Sequence, residues 1–125
     1  MILKINFDGA VFHETDEARL GVVVRDHEGR VMASMFEKIR LPSSSNEVEV
    51  MATVRAISFT MELHLPFVIV EGDSELIISA LRREEESFSS FGHFISSVKQ
   101  NLEAFSCISF SHTRRSSNSL AHNLA

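Results

Sequence analysis

The chain predicts an α/β fold: a five-stranded mixed sheet, three strands antiparallel and two added in parallel, with helices on both faces. Three observations carry this expectation. Period-two alternation of apolar and polar residues opens the chain and recurs before residue 40, as half-buried strands require. After a polar break at 41–46, helix-length segments alternate with short apolar runs, the pattern of crossover connections to parallel strands. A length of 125 residues with 44% hydrophobic and 23% charged side chains suits one compact domain, 1–125, with a buried core and no disordered body.

The elements follow in order. In 2–8, Leu3, Ile5 and Phe7 oppose Ile2, Lys4 and Asn6, which predicts a strand ending at Asp8. The runs 20–26 and 30–39 meet across Asp26-His27-Glu28-Gly29-Arg30, where Asp26 and Gly29 supply hairpin chemistry. Ser44-x-x-Glu47 offers a capping box for a helix over about 46–63. A fourth strand, 67–72, is apolar enough to be covered on both faces, and a helix follows over roughly 74–83. The acidic run Glu84-Glu85-Glu86 reads as a solvated helix end. Phe91, Phe94, Ile95, Val98 and Leu102 predict a helix over 91–104, then a fifth strand at 107–113, a polar loop, and a final helix from Asn118 that stops in mid-pattern, as in a trimmed domain.

Composition excludes several classes. The single cysteine, Cys107, rules out an internal disulfide, and its apolar-alternating surroundings predict a buried thiol. No stretch approaches the length of a membrane span, and Met1 leads straight into a strand without a signal peptide, so an intracellular protein, or a piece of a larger one, is expected. A net charge of −5 argues against simple electrostatic capture of nucleic acid. The chain shows no internal repeat, zinc-type Cys/His spacing or phosphate-binding glycine loop.

Acidic residues hold the chemistry. If the first and fourth strands are parallel neighbours, Asp8 and Asp73 stand at one sheet edge. Glu49 begins a stripe with Ala52, Ala56 and Leu63 that would face the sheet, where a charge needs compensation. Three close carboxylates either take up a proton or bind a cation. All-oxygen ligands suit Mg²⁺, with Mn²⁺ as a substitute, and a pair of such ions serves phosphodiester hydrolysis. Taken singly, Asp73 also suits a helix N-cap, Asp8 before Gly9 a turn, and Glu49 an exposed first helical turn.

The order Phe7-Asp8-Gly9-Ala10, Asn46-Glu47-Val48-Glu49-Val50-Met51-Ala52, Glu71-Gly72-Asp73-Ser74 and the segment from Ser111 to Ala125 resembles the ribonuclease H family, type 1, and especially its plant retroelement-derived, reverse-transcriptase-like branch. The likeness spans nearly the whole chain. It implies a ribonuclease H-like fold and cleavage of the RNA strand of RNA/DNA hybrids with two divalent ions. Asp8, Glu49 and Asp73 match the family's metal ligands, and His112 resembles a flexible-loop histidine that assists proton transfer or product release. Asn46 is similar to a residue that contacts the substrate strand, and Gly9, Ser74 and Asn118 are its expected companions. The 2′-OH groups beside the cut would distinguish RNA from DNA.

One position departs from the pattern: His122 stands where catalytic relatives place a fourth acid. An imidazole can ligate metal but adds no negative charge and suits Mg²⁺ less well than a carboxylate, so activity is expected to be reduced, shifted toward Mn²⁺, or absent. The basic grip is also thin: Arg82, Arg83, Arg114 and Arg115 are the expected cations near the groove, and the interval 82–92 lacks the lysine-rich helix of some relatives. The leading expectation is therefore a metal-dependent hybrid endonuclease, monomeric, apart from membranes and joined to other domains of a longer polypeptide, in the nucleus or an organelle. A noncatalytic nucleic-acid-binding or scaffold module of the same fold is the alternative. A phosphorylatable receiver fits poorly, for it needs more than the one acid at Asp8 and a lysine after residue 99 that the chain lacks.

Overall fold

A computed structural model of the chain describes residues 2–82 and 107–114, apart from the side chains at 45, 46, 76, 80 and 82. The described strands and α-helices are β1 (Leu3–Phe12), β2 (Glu17–Arg25), β3 (Val31–Arg40), α1 (Ser45–Glu62), β4 (Phe67–Gly72), α2 (Glu75–Arg82) and β5 (Cys107–His112), with a 3-10 turn (His13–Thr15) joining β1 to β2. They form one mixed sheet in the order β3-β2-β1-β4-β5. The first three strands pair antiparallel, while β4 lies parallel to β1 and β5 parallel to β4. The predicted mixed five-stranded sheet is thus present, with α1 against β1 and β2 and α2 against β4 and β5. No described helix is long and apolar enough to cross a membrane.

The core follows from the alternation. Leu3, Ile5 and Phe7 from β1, Leu20, Val22 and Val24 from β2, and Val68 and Val70 from β4 meet Val48, Ala52, Ala56 and Ile57 of α1. Small alanines let α1 approach the sheet closely. Thr53 and Thr60 are buried on the helix and satisfy their hydroxyls by donating to the Glu49 and Ala56 carbonyls at 2.8 and 2.7 Å. The hairpin turns where predicted: Gly29 takes φ +83°, and Asp26 accepts the Glu28 and Arg30 N–H groups, each at 2.9 Å.

Several local expectations need correction. β1 continues four residues past Asp8, to Phe12, because β2 keeps pairing with it through Phe12↔Glu17. Ser44 makes no side-chain cap; Ser43 donates to the Glu47 carboxylate instead, at 3.4 Å, so the capping box does not form. Leu63 lies past the end of α1 and is exposed, leaving the buried stripe to Ala52 and Ala56. Cys107 is exposed at the start of β5 rather than buried. β4 buries Val68, Val70 and Gly72 but only half-covers Ile69 and Glu71, so its two faces differ. The helices expected over 91–104 and from Asn118 lie outside the described residues.

Candidate metal centre

The parallel pairing of β1 with β4 sets the site. The register runs Leu3↔Val68 through Asn6↔Glu71, and two residues further on each segment stand Asp8 and Asp73. β4 ends at Gly72 while β1 runs on, so the flank of β1 beside Asp8 and Gly9 is open to the first turns of α1. Glu49 enters there. A Cβ on Gly9 would lie 2.5 Å from Val48 Cγ1 and 3.3 Å from the Val48 carbonyl, so the glycine is what lets the helix come this close. One carboxylate oxygen from each of Asp8, Glu49 and Asp73 lies within 4.8 Å of the other two.

Asp8 is fully buried, and Glu49 and Asp73 are partly covered. Burial, the charge of Asp8, a hydrogen bond with the Asp8 carboxyl and the charge of Asp73 together push the Glu49 carboxyl up to about 8, against a smaller opposing pull from the Gly9 N–H. The same N–H lies 2.9 Å from Asp8 Oδ1. Glu49 Oε2 is buried with no hydrogen-bond partner among the described residues, a costly arrangement for a carboxylate oxygen unless a proton or a cation serves it. Hard, all-oxygen donors with one buried oxygen unserved fit a divalent cation of the Mg²⁺ or Mn²⁺ type.

The segment after β4 gives each residue a separate task. Gly72 has no side chain because the Phe7 ring fills the space; a Cβ there would meet Phe7 Cζ at 2.6 Å. Ser74, not Asp73, caps α2, its Oγ accepting the Ile77 N–H at 3.4 Å. Asp73 is thereby left at the carboxylate cluster. His112 ends β5 opposite Gly72, and its exposed ring places Nε2 3.2 Å from the Asp73 carbonyl oxygen. The structure thus brings Asp8, Glu49, Asp73, Gly9, Ser74 and His112 to one edge. The Asn46 side chain and residues Asn118 and His122 lie outside the described set.

A polar network next to the site escapes the sequence reading. Asn6 is buried on β1, donates Nδ2 to Glu71 at 3.0 Å and accepts Arg25 Nη2 and Nε at 2.6 and 3.1 Å; Lys4 reaches Glu71 at 3.8 Å. These bonds tie β2, β1 and β4 together two residues before the two aspartates. The polar positions 4 and 6 in an interior strand are the signal that points to it.

Comparison with known proteins agrees with this geometry. The family described as reverse transcriptase-like matches residues 6–125, and the chain belongs to that family. No curated protein matches the chain. Among solved structures, the RNase H1 of the halophilic archaeon Halobacterium salinarum NRC-1 superposes with a TM-score of 0.88 at 22% identity, covering 100% of this chain and 95% of that one. The N-terminal RNase H domain of a Mycobacterium tuberculosis protein gives 0.85 at 20% identity, over 99% and 90% of the two chains. LC11-RNase H1, solved in complex with an RNA/DNA hybrid, gives 0.82 at 21% identity, over 98% and 92%. The fold is that of ribonuclease H.

Proposed function

We propose that this domain is a divalent-metal-dependent endonuclease that cleaves the RNA strand of RNA/DNA hybrids, a type 1 ribonuclease H of the plant retroelement-derived branch. The observation that carries the reading is the convergence of Asp8, Glu49 and Asp73, with Glu49 Oε2 buried and without a hydrogen-bond partner among the described residues. These three residues would hold a pair of ions, Mg²⁺ or in its place Mn²⁺, with His122 as a further ligand. When bound, such ions stabilise charge on phosphodiester oxygens and activate the attacking water.

The chain's own groups have distinct tasks. Glu49, whose carboxyl holds a proton to about 8, accepts or orients the hydrogen of the attacking water once that proton is displaced. His112, exposed with its Nε2 3.2 Å from the Asp73 carbonyl oxygen, would pass a proton to the departing oxygen. Gly9, Asn46, Ser74 and Asn118 are the proposed substrate contacts, the backbone of Gly9 lying nearest the acids. Solution of LC11-RNase H1 with a hybrid, together with the shared fold, supports the substrate class.

His122 in place of a fourth acid favours a second reading, a noncatalytic nucleic-acid-binding or scaffold module. Cleavage of a labelled hybrid in Mg²⁺ and then in Mn²⁺, with Asp73→Asn as control, separates the two. Cleavage by the wild type that the variant lacks supports the nuclease; equal trace activity in both sinks it.

A further inference from the structure

Directly opposed residues in an antiparallel ladder project to the same face of the sheet. The registers therefore set Asp8, Gly21 and Phe36 in one row across β1, β2 and β3, then Ala10, Arg19 and Lys38 in the next, and Phe12, Glu17 and Arg40 in the third. Gly21 and Ala10 keep the floor low between Asp8 and the outer strand. Phe36 stands 56% exposed at the end of the first row.

The second and third rows hold three cations, Arg19, Lys38 and Arg40, against the single acid Glu17. In a chain of net charge −5, this strip locally reverses the sign. Two of these cations are available, while Arg19 is paired with Glu17 at 3.7 Å. Lys38 is exposed and makes no ion pair among the described residues, and the Arg40 side chain is 90% exposed, meeting Asp16 only at 3.7 Å. Arg19 lies 4.3 Å over the Phe12 ring, which holds its guanidinium on the same face. With neighbouring strands ~4.8 Å apart, β3 runs only about 10 Å from β1, so one bound polynucleotide spans both.

We infer that this β2–β3 face is a nucleic-acid contact surface continuous with the carboxylate centre, on which Lys38 and Arg40 hold backbone phosphates and Phe36 packs against sugar or base. Cations set beside an exposed aromatic ring are the combination by which proteins grip a polynucleotide without reading its sequence. The inference rests on the proposed action at nucleic acid, and it supplies the cationic grip that net charge and the interval 82–92 do not.

The test is anisotropy of a labelled RNA/DNA hybrid bound to the intact chain over a series of salt concentrations, with Ca²⁺ in place of Mg²⁺ to prevent cleavage. Lys38→Ala/Arg40→Ala should weaken binding about tenfold at low salt and lower the slope of log K against log salt by about two. Phe36→Ala should weaken it about fivefold or more with the slope unchanged. Arg55→Ala, on α1 and paired with Glu37 and Glu62, should match the wild type. Wild-type binding with the Lys38/Arg40 and Phe36 variants indistinguishable from it overturns the inference and leaves the metal-centre reading intact. A wild type that fails to bind the hybrid overturns both. Lys38, Arg40 and Phe36 are exposed, so their removal spares the core.

Discussion

A carboxylate oxygen of Glu49, carried on α1, lies within 4.8 Å of one of Asp8 on β1, and burial first, then the charge and hydrogen-bonding of Asp8 and the charge of Asp73, raise the Glu49 carboxyl to about 8. Glu49 therefore binds its proton more tightly in the folded chain than at its ordinary 4.5. The stability this confers is fully present below about pH 4.5 and is lost as pH rises through about 8. Metal-free protein should accordingly lose stability, on the order of a few kcal/mol, across that window. Thermal unfolding in chelator at several pH values checks this; a flat or rising profile from Glu49 would contradict it.

Replacing Glu49 by Gln removes the buried charge while keeping the shape. Metal-free Glu49→Gln should be more stable than wild type near pH 8, by roughly 1–3 kcal/mol, and should lose metal-dependent stabilisation. Denaturant melts with and without Mn²⁺ measure both effects. A variant stabilised by Mn²⁺ as much as the wild type would show that the ion binds elsewhere.

Gly9→Ala tests the close approach of α1. The added methyl would meet Val48 Cγ1 and the Val48 carbonyl, and Val48 is a short, β-branched side chain buried in the core. A destabilisation of about 1–3 kcal/mol is expected, with a fall in metal affinity as the first turns of α1 shift Glu49 away from Asp8. Chemical denaturation and metal titration of the same variant read the two consequences.

Asp26 gives the opposite pH response at the far end of the sheet. Backbone N–H donation from Arg30 holds its carboxyl below the usual 3.8, with further help from the Arg30 side chain and the Glu28 N–H. A depressed pKa contributes stability above the unfolded value that disappears as pH falls through the folded one. Asp26→Ala should lower the melting temperature at neutral pH, with the gap from wild type narrowing as pH falls below the ordinary 3.8. An unchanged gap in acid would assign the loss to the turn's shape rather than to the charge.

Much of this was legible in the sequence, for physical reasons that differ by element. Alternation in β1 and the Asp26–Gly29 turn identify the hairpin because side-chain period and glycine conformation are local properties. The approach of Asp8 to Asp73 is legible because parallel β1 and β4 lead to the same sheet edge. Ser74 rather than Asp73 as the α2 cap was not, since either residue type accepts the same N–H and only tertiary placement decides. Cys107 misleads because an apolar run predicts burial without saying which end of a strand lies at the rim. The Asn6–Arg25–Glu71 network and the cationic rows of β2 and β3 were hidden for a shared reason: both depend on cross-strand register, which alternation alone does not fix.

The most direct test of the metal centre is calorimetric titration of the chain with Mn²⁺, wild type against Asp73→Asn. Saturable binding in the wild type, tightening about tenfold per pH unit below about 8 as the Glu49 proton is displaced and abolished in the variant, is the predicted result. Absence of binding at millimolar Mn²⁺, or equal binding by Asp73→Asn, would contradict a cation site formed by Asp8, Glu49 and Asp73.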